Sequence, residues 1–126
     1  MSRTIKLHTT LYPRESQTDF EALAQDLLAR YQPATPDQWE VVELMANASW
    51  LKRRYKLVRD RLFLQRNSLP AEDGHRLQIE QSIDNFNREV ALQRENLANL
   101  RRQWRQITHL TAGRQEDSSH VLVPAA

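Results

Sequence analysis

Two stretches of this chain repeat an apolar residue every three or four positions, for long enough that only a helix can accommodate them. In the first, Val41, Leu44, Ala48, Leu51, Tyr55, Val58 and Leu62 keep that alternation without exception. In the second, Ile79, Ile83, Phe86, Val90, Gln93, Leu97, Leu100, Trp104, Ile107 and Thr111 keep it with two polar members. Steps of three and four hold every such side chain on one stripe of a helix, whereas a strand would need a period of two. No proline or glycine lies between residues 37 and 69 or between 75 and 112, so neither run is interrupted. The segment "NSLPAEDG", residues 67–74, gathers proline, glycine, asparagine and aspartate and reads as the turn. Two long striped helices joined by a short turn pack as antiparallel neighbours. The sequence therefore predicts an all-α fold: a helical hairpin of residues 36–66 and 72–111, the second arm approaching ~60 Å in length. Gln93 falls inside its stripe, either as a buried polar group that fixes register or as a partly exposed position.

A shorter helix is expected over residues 18–31. Thr18 and Glu21 have capping-box spacing, and Phe20, Leu23, Leu27, Leu28 and Tyr31 share one side. Pro33 and Pro36 end it, and "TPDQ" starts the next helix, with Thr35 as cap, Pro36 at the first position and Gln38 at the third. A second apolar strip, Trp39, Val42, Met45, Ala46 and Trp50, flanks only the first half of the hairpin's first arm. The short helix is expected to pack there. Gly113 supplies a natural left-handed end to the last helix. This divides the chain into an N-terminal arm (1–17), extended where "TIKLH" alternates, a helical domain (18–112) and a mobile C-terminal tail (113–126).

Charge is arranged in blocks of alternating sign. Residues 52–66 hold Lys52, Arg53, Arg54, Lys56, Arg59, Arg61 and Arg66 against Asp60, a balance of +6. The neighbouring segments 36–51 and 67–95 each carry −3, and 96–114 carries +4. Folding the hairpin about residue 69 sets opposite signs along the whole seam, which favours the antiparallel arrangement and occupies some of the arginines. Seven bases on about four helical turns cannot all face a partner helix. Some, such as Lys52, Lys56, Arg59 and Arg66, form an exposed strip suited to phosphate. These seven bases are the candidate nucleic-acid contacts. The stripe left uncovered near the hairpin tip, Leu57, Val58, Leu62, Phe63 and Leu64, is the candidate interface for a protein partner or a second copy.

Little in the chain points to chemistry. It has no cysteine, which excludes disulfides and thiolate sites, and its four histidines are scattered without metal-ligand spacing. No cofactor, metal site or small-molecule substrate is suggested. No run approaches the ~20 apolar residues that span a bilayer, the N-terminus lacks a signal-peptide core, and a cytoplasmic protein is expected.

The segments Asp19 to Leu23 ("DFEAL"), Pro33 to Pro36, Val42 to Ala46 ("VELMA") and Trp50 to Arg54 ("WLKRR"), with "NREVALQRENLANL" at 87–100, resemble a group of small all-helical bacterial proteins that have no established activity. The resemblance implies a helical fold and no substrate. Separately, Arg102 and His109, with six residues between them near a helix end, resemble the arginine-to-histidine spacing of the HEPN ribonucleases, although Gln103 stands where that family usually has Asn, Asp or His. That resemblance would give Arg102 the phosphate and His109 the proton transfer; solvation of a helix end is the simpler role for both. The leading expectation is a non-catalytic helical binding or accessory protein that associates with a protein partner or itself and touches nucleic acid through the basic strip. A purely structural oligomerising protein is the alternative, and an HEPN-like ribonuclease the third reading.

Overall fold

A computed structural model describes the backbone of residues 3–122 and the side chains of residues 3–109. The last residues of the expected tail, 123–126, lie outside the described residues. Three helices follow in order: α1, Gln17–Tyr31; α2, Pro36–Asn67; and α3, His75–Leu122. Helices α2 and α3 pair as the long hairpin, and α1 packs on α2. The fold is all-α, with no strand among the described residues.

The helix boundaries follow local chemistry. Thr35 caps α2 as expected: its hydroxyl accepts the Gln38 N–H at 3.2 Å, while Gln38 Oε1 accepts the Ala34 and Thr35 amides at 2.7 and 3.3 Å. The α1 cap differs from expectation. Ser16, two residues before Thr18, accepts the Asp19 N–H at 3.1 Å, so α1 begins at Gln17. It ends at Tyr31, capped by Gln32, whose backbone is left-handed (φ 48°) and whose N–H reaches the Leu28 carbonyl at 2.9 Å. Helix α3 starts at His75 rather than 72, because the Asp73 carboxylate takes the His75 N–H at 2.8 Å and closes the turn there. Gly113 does not terminate α3, which continues to Leu122. Alanine-like backbone is open to glycine at a cost of only about 1 kcal/mol, so a lone glycine need not stop a helix.

The later start of α3 moves the pairing register. Folding about residue 69 would set Tyr55 opposite residue 83, but Tyr55 meets Phe86 with ring centroids 6.0 Å apart, and Arg59 donates to Asn87 Oδ1 at 3.1 Å. The core lies in the half of the hairpin away from the turn, where the second apolar strip placed it. Phe20, Ala24 and Leu27 of α1 meet Val42, Met45, Ala46 and Trp50 of α2, and Leu97 of α3 joins them. Phe20 and Trp50 pack edge to face at 5.6 Å, and Tyr31 and Trp104 do so at 5.2 Å. Leu44, a member of the predicted stripe, is instead exposed.

Gln93 is buried, at 7 % exposure, with its Oε1 accepting from Asn96 at 3.3 Å. One long neutral hydrogen bond contributes little against the loss of hydration. Gln93→Leu is therefore expected to raise stability by about 1 kcal/mol, read as a higher urea midpoint at unchanged slope.

A divided basic face, the candidate nucleic-acid interface

The seven predicted cations separate once the N-terminal arm is placed. The arm is not a loose end. Ile5 is buried in the core, and Asn47 of α2 holds the backbone on either side of Leu7, its Nδ2 donating to the Lys6 carbonyl at 2.9 Å and its Oδ1 accepting the His8 N–H at 2.7 Å. Glu43 accepts the Lys6 N–H at 2.8 Å and lies 3.4 Å from His8 Nε2. Farther along, Arg54 takes up the arm. Its Nη2 reaches the Thr10 carbonyl at 2.8 Å and Glu15 Oε1 at 2.7 Å, its Nε lies 3.1 Å from Glu15 Oε2, and its guanidinium stacks 3.9 Å from the Tyr12 ring centroid.

Arg54 is thus a correction to the candidate set. Its side chain is 4 % exposed and that of Glu15 is 14 %, so the pair is interior and has no face for phosphate. Burial raises the Glu15 carboxyl, but the Arg54 hydrogen bonds and charge, with the Tyr12 amide, outweigh it and hold the group below its ordinary range. Glu15 in turn raises the Arg54 guanidinium, burial opposing. The turn into this pair is strained. The Glu15 N–H closes on the Tyr12 carbonyl at 3.0 Å, with Pro13 second and Arg14 third at φ 76°, a position that favours glycine. Arg14→Gly is expected to stabilise the fold by about 1 kcal/mol, seen as a rise in Tm.

The remaining cations fall on two sides of α2. Lys52, Lys56, Arg59 and Arg66 recur at helical spacing on one side. Arg61 lies beside the arm in a small cleft with Tyr12, Arg14, Leu57 and the Glu15–Arg54 pair. Arg53 is 3.8 Å from Asp19 of α1 and rests over the Trp50 ring at 5.2 Å. Arg59 turns to Asp60 at 3.3 Å, and Arg59 and Arg66 lie over the Phe63 ring at 5.9 and 5.0 Å. Lys52, Lys56 and Arg61 have no acid within 4.0 Å among the described residues.

The cross-seam pairing expected from the charge blocks does not form. No ion pair joins α2 to α3 among the described residues; Arg59 reaches only the neutral Asn87, Arg76 turns to Glu80 of its own helix at 3.7 Å, and Glu43 is taken by the arm. Exposed pairs contribute only about 0 to 1 kcal/mol, too little to overrule the register that packing sets.

At the predicted partner interface, Leu57 (47 % exposed) and Leu64 (72 %) stand open, as does Leu77 of α3, whereas Val58, Leu62 and Phe63 are half-buried. A second apolar groove of about 360 Å³ lies between the long helices, with Leu44, Leu51 and Leu100 beside Gln93, Asn96 and Asn99. Arg102 and His109 share an open cleft with Arg105 and Gln106, and Arg102 donates to Asn99 Oδ1. Both are exposed and lie about 10 Å apart along α3. No carboxylate lines that cleft among the described residues. No cluster of three metal-ligating side chains occurs among the described residues, and no helix there is long and apolar enough to cross a membrane.

Comparison of the chain with protein-family models, with curated proteins and with solved structures gave no match.

Proposed function

We propose that this chain is a non-catalytic helical accessory protein that associates with a protein partner or with itself and contacts nucleic-acid phosphates through α2. Lys52, Lys56 and, on the other side of α2, Arg61 carry the reading: the acids expected to neutralise them are elsewhere, and none has an ion-pair partner among the described residues, Lys56 and Arg61 being exposed and Lys52 half-buried. Arg53, Arg59 and Arg66 add charge around them while resting on Trp50 and Phe63. Such charge, spread around α2, attracts a polyanion through counterion release and reads no sequence. The reading needs no cofactor, and it places the protein in the cytoplasm, where nucleic acid is at hand.

Alanine at Lys52, Lys56 and Arg61 together tests it. Each phosphate contact contributes on the order of 1 kcal/mol, so the triple variant should lose more than tenfold in affinity for nucleic acid at low salt. Its Tm should hold, since surface changes of this kind usually stay within about 0.5 kcal/mol. Unchanged affinity would remove the basic face from the account. The exposure of Leu57 and Leu64 favours a second reading, a structural oligomer with no nucleic-acid role. In that case the triple variant would assemble like the parent and neither would bind.

A further inference from the structure

The arm of residues 4–8 uses only one of its two backbone edges. Toward α2, the Lys6 N–H, the Lys6 carbonyl and the His8 N–H are bonded to Glu43 and Asn47. Asn47 bridges the carbonyl before Leu7 and the N–H after it, the pattern by which a neighbouring parallel strand would hold that residue. Exposure alternates accordingly: Ile5 is buried and Leu7 half-buried, while Thr4, Lys6 and His8 are exposed. Successive backbone groups of an extended chain point to opposite edges, so the N–H and carbonyl groups of Ile5 and Leu7 point away from α2. Among the described residues none of these four groups has a protein partner.

That unpaired edge borders a groove of about 920 Å³ whose far wall is α1 and to which α2 contributes nothing. Gln17, Glu21, Ala24 and Leu28 face it from α1 at helical spacing. Ala24 and Leu28 make an apolar floor beside Leu7. Among the described residues the only charges lining it, Lys6 and Glu21, are opposite in sign. A helix has satisfied its own backbone and cannot answer a row of free amides; an extended chain can.

We infer that this groove binds an extended, uncharged segment of a partner protein, which adds as a strand to the free edge of the arm at Ile5 and Leu7. Main-chain hydrogen bonds supply affinity in this mode, and alternate side chains of the incoming strand rest on the apolar floor. The site is separate from the basic face and does not depend on nucleic-acid binding.

The test is amide hydrogen exchange of the full chain with a capped hexapeptide of alternating threonine and valine at millimolar concentration. Exchange at Ile5 and Leu7 should slow by about tenfold or more, while Lys6 and His8, already donating to α2, should not change. The same peptide with N-methyl groups on alternate amides, along its pairing edge, should protect neither. Unslowed exchange at Ile5 and Leu7, or equal protection by the N-methylated peptide, would overturn the inference.

Discussion

Arg54→Ala should destabilise the fold by about 3 kcal/mol, an effect typical of removing one partner from a buried ion pair, here taken at its low end because Glu15 keeps some exposure. The substitution strands the Glu15 carboxylate, leaves the Thr10 carbonyl without its donor and removes the stack on Tyr12. The loss is local in origin, so amides of the arm, Tyr12 among them, should exchange faster than those of the α2–α3 seam. The pH dependence gives an independent check. The Glu15 carboxyl is lowered in the folded protein, so its stabilising contribution is fully present above the ordinary glutamate value, about 4.3, and is lost as pH falls through the lowered folded value. Acid unfolding of the parent should show that loss, and Arg54→Ala, lacking the cation, should not. Urea midpoints measured from neutral pH downward read both effects.

Trp50→Ala should cost more, about 4 kcal/mol. The indole is 2 % exposed, meets Phe20 edge to face at 5.6 Å and carries the Arg53 guanidinium on its outer side at 5.2 Å. It ties α1 to α2, so its removal opens a cavity where no neighbour can readily collapse. A domain of this size has about 5 to 15 kcal/mol in total, and the variant should be marginal at physiological temperature. Trp50→Phe keeps most of the ring contact and should lose about half as much. Far-UV circular dichroism in urea measures both, and equal costs for alanine and phenylalanine would show that the site is not packed as described.

The hairpin was legible because its cause is local. Stripes at 41–62 and 79–111, the Thr35–Gln38 box and the flanking strip ending at Trp50 each need only helical spacing to be read. The seam's charge pairing was not legible. It rested on a register set by the turn, and Asp73 starts α3 three residues later than the composition of the turn suggested. The largest omission was the arm. Glu15 and Arg54 are 39 positions apart, and nothing in spacing links a carboxylate in a polar segment to one arginine among seven. Asn47 did carry a signal: an amide between Ala46 and Ala48, in an otherwise apolar stretch, required a buried partner. The Lys6–His8 backbone supplies it. Of the basic block, the sequence expected Lys52, Lys56, Arg59 and Arg66 as the exposed strip, but of these only Lys56 is exposed, Arg53 and Arg61 being the other open members, and it could not single out Arg54 as interior.

The most direct test of the basic face is fluorescence anisotropy with labelled single- and double-stranded DNA and RNA, titrated across salt concentrations beside a light-scattering mass. Three to six phosphate contacts predict a logarithmic affinity that falls with the logarithm of salt at a slope of about −3 to −5 on duplex, reduced by roughly three in the Lys52, Lys56 and Arg61 alanine variant. Absence of binding at low salt, or a slope that the variant leaves unchanged, would contradict the account.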